Sequence, residues 1–236
     1  MKIAHLYYDL ANLYGERGNV AVLRHALEDQ GIDVTVDKIT VNDAFQPADY
    51  DFIYIGAMTE ANQSLVFADL LTHQQQLARY IMDGGFLLAT GNALEFFGKI
   101  WNNNGKEEYG LRICSYSAKK LEKRLMAEVI VSNDTLKEVC GFQNQSCGIV
   151  ENDHPWFTGT ELGMGSYPDS NQEGVKFNHF YGTYVIGPVL ARNPHVTQHL
   201  VKEWMMSHNV GGYTEKIKEF DKKAYESYKN SIKKVD

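Results

Sequence analysis

Strand and helix signals alternate through the first hundred residues, and that order leaves few folds open. Lys2 to Tyr8 is a short, mostly apolar run of the kind that forms a strand covered on both faces. Asn19 can cap a helix on which Val20, Leu23 and Leu27 share one face, with Gly31 to close it. Val34 to Thr40 reads as a second strand and Phe52 to Ile55 as a third, ending at Gly56. A long helical stripe of Val66, Leu70, Leu77 and Ile81 runs to the stop at Gly84-Gly85. Phe86 to Ala89 is a fourth strand, and the sharp turn Thr90-Gly91-Asn92 leads into a helix carrying Ala93, Phe96 and Phe97. Parallel neighbours need crossover helices that also cover the sheet. The expected fold is therefore α/β, with three layers and a doubly wound, mostly parallel, flavodoxin-like sheet.

The pattern changes after about residue 108. Shorter runs at Leu111 to Tyr116, Glu128 to Val131, Val139 to Phe142 and Val175 to Phe180 are separated by Gly, Asn, Asp and Pro, which predicts an antiparallel section in the second half. Tyr184 to Leu190 gives a last strand and Pro194 to Ser207 a helix. No Gly-, Ser- or Pro-rich linker divides the chain, so residues 1–210 read as one domain. Residues 211–236 read as a charged amphipathic C-terminal helix, with seven lysines and five acids. Its apolar stripe is Ile217, Phe220, Ala224, Tyr228, Ile232 and Val235, to be packed on its own domain or on a partner.

Charge and composition exclude several functions. A net charge of −7 offers no basic surface for nucleic acid. Cys114, Cys140 and Cys147 form no CxxC pair and no disulfide framework, and they read as small buried hydrophobes of a reduced, cytoplasmic protein. No secretory signal is visible, and no apolar run approaches the roughly 18 residues that span a bilayer. His195 and His199 lie four apart on a predicted helix, yet HExxH and a third ligand are missing, so the helix face is expected to be solvated and no metal is expected. His179 reads as a strand histidine. Neither GxxxxGK[ST] nor GxGxxG occurs, so no nucleotide cofactor is expected on this chain, and ATP chemistry would belong to another one.

In a doubly wound sheet, ligands gather beyond the carboxyl ends of the strands. Three loops fall there: the one after Tyr8, the one after Gly56, and the turn Thr90-Gly91-Asn92. A strand, a tight glycine turn and a helix form a nucleophile elbow, where Ser or Cys is expected. This chain offers Thr90, Gly91 or Asn92 instead.

The stretch from Tyr8 to Asn19, YYDLANLYGERGN, resembles the N-terminal signature of the GatD type of small, glutamine-hydrolysing subunit of lipid II isoglutaminyl synthase. That type belongs to the CobB/CobQ-like class I glutamine amidotransferases. The signature positions are Tyr8, Asp9, Asn12, Tyr14, Gly18 and Asn19. Further matches run in order through Gly56 to Gln63, Leu94 to Gly98, Arg124-Leu125, Val139 to Gln143 and Gly182 to Leu190, from about residue 5 to about residue 205. The resemblance implies a cysteine that attacks the carboxamide of glutamine and a histidine base. The ammonia released would pass to a MurT-type, Mur-ligase-like subunit that uses ATP in peptidoglycan stem-peptide amidation.

Residue by residue, the resemblance fails where it matters most. The cysteine position falls on Gly91, or on Thr90 if the turn is one residue longer, and the histidine position falls on Ile186. Glycine offers no nucleophile and isoleucine accepts no proton. Ala57-Met58 stands where the family has glycines able to supply an oxyanion hole. What survives is binding: Arg124 matches an arginine facing the glutamine pocket, and Gln63 and Glu95 match or nearly match pocket positions, Glu95 in place of a glutamine. The expectation is a degenerate amidotransferase subunit that keeps its frame, its partner and a possible glutamine or glutamate ligand. The alternatives are an active amidohydrolase working through unidentified residues, or a small-molecule-binding regulatory protein.

Overall fold

The computed structural model describes residues 1–234; Val235 and Asp236, counted above with the C-terminal stripe and its acids, lie outside the described residues. In chain order the elements of the first half are β1 (Lys2–Leu6), α1 (Arg17–Asp29), β2 (Thr35–Ile39), β3 (Phe52–Ile55), α2 (Glu60–Thr72), α3 (Gln74–Met82) and β4 (Phe86–Thr90). The second half adds β5 (Ile100–Asn103), β6 (Lys106–Tyr109), β7 (Ser117–Asn133), β8 (Lys137–Val150), β9 (Gly159–Leu162), β10 (Val175–Phe177) and β11 (Phe180–Thr183), then α4 (Val189–Arg192), α5 (Pro194–Ser207) and α6 (Glu219–Ile232).

The main sheet has the order β10-β11-β4-β3-β1-β2 and is parallel except for the edge strand β10. Its strands alternate between two cores, as a sheet covered on both faces must. Ile53, Ile55, Leu87 and Ala89 pack with Val66, Leu70, Leu77 and Ile81 of α2 and α3. Phe52, Tyr54, Phe86 and Leu88 pack with Val20, Leu23 and Leu27 of α1 and with Leu190, Val196 and Leu200 of α4 and α5. The expected three-layer, doubly wound architecture is therefore present. So is the antiparallel section: β5 pairs with β6, and the long hairpin β7–β8 carries β9 on its edge.

Several local expectations need correction. Helix α1 begins at Arg17, two residues before the expected cap, and Asn19 is buried within it, bonded to Tyr54 and to the Leu190 amide. The stripe from Val66 to Ile81 belongs to two helices, because His73 (φ −101°, ψ 9°) breaks the turn between them. After the elbow, Gly91–Phe97 coils as a 3-10 helix with every side chain but that of Asn92 buried, a crowding suited to the tighter winding. Leu111 to Tyr116 is no strand: Arg112 has φ 57°, and the amides from Gly110 to Cys114 bond back to the carbonyls of Phe96 to Lys99. Val175 to Phe180 splits into two strands around Asn178 (φ 51°), which puts His179 in the turn, stacked on Phe86 at 4.0 Å and bonded to the Gly84 carbonyl. The run from Tyr184 to Leu190 is not a strand either. The chain leaves the sheet after Thr183, turns at Gly187 (φ 90°) and starts α4 behind Pro188.

The C-terminal segment has no regular secondary structure before α6, and α6 packs on its own chain. Its inner face is Tyr225, Tyr228 and Ile232, whereas Phe220 and Ala224 of the expected stripe face solvent. Tyr225 donates to the Glu138 carbonyl, Tyr228 to Glu128, and Lys229 and Lys233 pair with Glu138. This contact also corrects the reading of α5, whose His195 lies against the Tyr225 ring and whose His199 pairs with Glu203, so neither is freely solvated. The only fully buried side chain of α6 among the described residues is Ile232. Truncation after Lys218 should therefore leave cooperative urea unfolding in place and cost about 2 kcal/mol, the order of one buried aliphatic side chain with little from exposed ion pairs. An unfolded truncation product would make α6 part of the core.

Candidate functional site

Four loops meet beyond the carboxyl ends of the parallel strands: Tyr7 to Glu16 after β1, Gly56 to Thr59 after β3, the elbow after β4, and Tyr184 to Pro188 after β11. Their meeting point is the carboxyl group of Glu16, which is completely buried. It accepts from the Gly187 amide (3.1 Å), the Tyr54 hydroxyl (3.0 Å), the Asn19 side-chain amide (3.4 Å), the Ala57 amide and the Thr90 hydroxyl. Burial raises its pKa, against the pull of those hydrogen bonds. Tyr54 and Thr90 also touch each other at 2.9 Å.

The elbow itself is shaped for a nucleophile and holds none. Gly91 has φ 61°, the left-handed conformation such a turn requires, and Thr90 lies before it in extended backbone with its hydroxyl committed inward. Gly91, with Thr90 before it, therefore makes the left-handed turn of the elbow. A Cβ built on Gly91 would lie 2.6 Å from the Ala57 Cβ and 3.3 Å from the Ile186 Cγ2. Ala57 and Ile186 thus fill the space a side chain would need. Ile186 is buried, and its backbone pairs with Phe142 of β8 in both directions (2.9 and 3.2 Å). The amides of the Ala57-Met58 loop are also engaged, Ala57 by Glu16 and Met58 by the Asn92 side chain at 3.0 Å.

Behind the elbow, the structure brings Gln63 and Glu95 together. Gln63 Nε2 donates to Glu95 Oε2 and to the Asn92 carbonyl, both at 3.3 Å, and the Tyr184 hydroxyl reaches Glu95 Oε1 at 3.4 Å. Burial pushes the Glu95 pKa up to about 7, and that of Cys147, which bonds to it, to about 12. All three cysteines are buried thiols. Gln143 and Gln145 are buried in β8 on the same alternation as Cys147, and neither Gln143 amide atom finds a partner within the protein. Arg124 does not join Gln63 and Glu95. It stands on the exposed rim, pairs with Glu60 and donates to Asn144 (2.7 Å), which in turn donates to the Tyr14 hydroxyl (2.6 Å).

The signature residues divide accordingly. Tyr14 joins the Arg124 rim, Asn19 turns inward, and Tyr8, Asp9, Asn12 and Gly18 line a separate cleft beside α1. Glu16 and Tyr54 were not identified from the sequence as site residues. Only Glu16 had a signal, as an acid between two glycines of the signature. No group of three or more His, Cys, Asp or Glu suited to a metal occurs among the described residues.

Residues 2–194 match the CobB/CobQ-like glutamine amidotransferase domain. The chain is 29% identical over 205 residues (85% of this chain, 79% of the relative) to the GatD subunit of the glutamine-hydrolysing lipid II isoglutaminyl synthase of Streptococcus pneumoniae. It is 27% identical over 204 residues (86% and 84%) to the corresponding subunit of Staphylococcus aureus. Among solved structures, a glutamine amidotransferase from Thermotoga maritima is similar in fold, with TM-score 0.53, 9% identity and coverage of 100% of this chain and 93% of that one.

Two measurements check this geometry. Gly91→Ala should destabilise the protein by about 3 kcal/mol, from the positive φ and the contact with Ala57. Adding Ala57→Gly should recover about 1 kcal/mol or more of that loss in a double-mutant cycle, and zero coupling would contradict the contact. Glu95 keeps its proton in the folded chain where the unfolded chain has released it, so its contribution to stability falls as pH rises from about 4.5 to about 7. Glu95→Gln should remove up to roughly 3 kcal/mol of that decline, read from urea unfolding across the same pH range.

Proposed function

The chain belongs to the CobB/CobQ-like glutamine amidotransferase family, and on that footing we propose that it serves as a GatD-like subunit of a lipid II isoglutaminyl synthase-type complex without glutaminase activity of its own. One observation carries the second half of this reading: Ala57 and Ile186 close over Gly91 at the elbow. Amide hydrolysis through a covalent intermediate needs a nucleophile, a base to take its proton and donors for the oxyanion. Gly91 cannot supply the first and Ile186 cannot supply the second. The Ala57 and Met58 amides, which lie where the third would come from, are held by Glu16 and Asn92.

Thr90 does not replace the missing cysteine. Its hydroxyl is wholly buried, bonded to Glu16 and Tyr54. The GatD-like frame supports a role in assembly with a Mur-ligase-like subunit that binds ATP and the acceptor carboxylate. The missing phosphate-loop motifs fit a chain that leaves ATP to that partner. No helix among the described residues is long and apolar enough to cross a membrane, which is compatible with work in the cytoplasm on a precursor before export.

The test is glutamate release from glutamine by the pure protein, alone and with the Mur-ligase-like partner. We expect a complex that co-purifies and amidates its acceptor with ammonium but not with glutamine, and no release above a heat-killed control. Release that disappears in Thr90→Val would overturn the reading in favour of an active amidohydrolase.

A further inference from the structure

Two buried carboxyl groups grip one residue of the segment that closes the elbow. Tyr184, the first residue beyond β11, gives its backbone amide to Glu173 Oε1 at 2.8 Å and turns its hydroxyl to Glu95 Oε1 at 3.4 Å. Thr183 donates to the other Glu173 oxygen at 2.7 Å and accepts from the Val185 amide at 3.0 Å. Ile186 then lies over Gly91, tied to Phe142 through both of its backbone groups. Gly187 is held separately, its amide by Glu16 and its carbonyl by the Arg192 guanidinium. The run from Tyr184 to Ile186 is thus a short buried span between two fixed ends, outside every helix and strand.

Among the described residues no ion pair reaches either carboxyl group, and both are buried, Glu95 at 1% exposed and Glu173 at 0%. Glu95 faces Gln63 and, at longer range, Glu60 of α2, with Cys147 of β8 and the Tyr184 hydroxyl on its other sides. Glu173 faces the Thr183 hydroxyl and the amides of Gly174 and Tyr184. Tyr116 lies in the field of Glu95, and Lys120, opposite Cys147 on β7, acts on that thiol. Burial keeps the thiol and both phenols neutral at physiological pH. A carboxylate without a counter-charge is costly in such a place until water reaches it, and burial accordingly raises both groups to about 7. Tyr184 stands between them, so its displacement would hydrate both.

We propose that the span from Tyr184 to Ile186 is a pH-operated cover: when Glu95 and Glu173 lose their protons it swings out between Thr183 and Gly187, hydrates both carboxylates and lifts Ile186 off Gly91. In the open span both groups titrate near the ordinary value of about 4.5, so protons favour closure. Opening therefore grows as pH rises from about 4.5 to about 7 and levels off above that. The cover goes beyond the amidotransferase reading and stands whether or not the chain hydrolyses glutamine.

Native-state amide exchange followed by NMR tests this, with rates corrected for the intrinsic effect of pH. Between pH 5 and pH 7.5 the protection factors of the Phe142, Tyr184 and Ile186 amides should fall at least about tenfold, since each group contributes up to tenfold per pH unit in that window. Their exchange should be unchanged by about 1 M urea, because a local opening exposes little surface. Amides of β1 and β3 should exchange more slowly and respond to urea. Glu95→Gln with Glu173→Gln holds both sites neutral and should keep the three amides protected at pH 7.5, and each single substitution should remove part of the fall. The proposal is overturned if their protection is independent of pH, if they follow β1 and β3 in urea dependence, or if the double substitution leaves the fall unchanged. Should the double variant fail to fold, the pH and urea dependence of the parent protein decides.

Discussion

One buried carboxyl group holds the working edge of this protein together. Glu16 gathers donors from every loop that leaves the carboxyl ends of the central strands: Ala57 after β3, Thr90 after β4, Gly187 after β11, with Tyr54 and Asn19 completing its shell. A carboxyl group taken out of water is expensive unless its oxygens are satisfied and its charge is neutralised or removed. Here five donors satisfy the oxygens, and burial raises the pKa. The consequence is geometric. With their backbone amides and hydroxyls tied to one point, the loops cannot separate to admit a substrate without leaving Glu16 unsatisfied.

The filled elbow follows the same logic. A left-handed turn at Gly91 is retained although no side chain uses it, because the turn still has to bring Thr90 to Glu16 and to aim the next segment into the core. Close packing then requires that the space over a glycine be occupied, and Ala57 and Ile186 occupy it. The three residues are complementary: a side chain at Gly91 would collide with Ala57, and a smaller residue at 57 or 186 would leave a void. Any side chain at Gly91, a cysteine included, would therefore meet a site with no room for it.

Much of the fold was legible because periodicity reports burial. The four parallel strands, helix α5 and the switch to antiparallel pairing all follow from apolar spacing. The failures share a cause, since side chains and turns overrode pattern at His73, Arg112, Asn178 and Gly187, where the backbone conformation is local and the sequence nearby still looks regular. At the site, the resemblance points to Gly91, Ile186, Gln63 and Glu95, and the structure brings Gln63 against Glu95 and Gly91 against Ile186. Arg124 stands apart from Gln63 and Glu95, because its partners Glu60 and Asn144 come from distant elements and draw it to the rim. Glu16 escaped notice because a charged residue in a polar loop is ordinarily solvated, and nothing adjacent to it in sequence reveals the donors that converge from residues 54, 57, 90 and 187.

The anchor depends in turn on its own attachment. The loop that ends in Glu16 runs from β1 at Leu6 to α1 at Arg17, so its carboxyl group is held where the loops after β3, β4 and β11 converge. Removing that one group would leave the Gly187 amide, the Tyr54 hydroxyl and the Thr90 hydroxyl without the acceptor they share, and buried donors without a partner are costly. The packing of Ala57 and Ile186 over Gly91 therefore depends on a hydrogen-bonded centre that the apolar pattern of the sequence does not reveal.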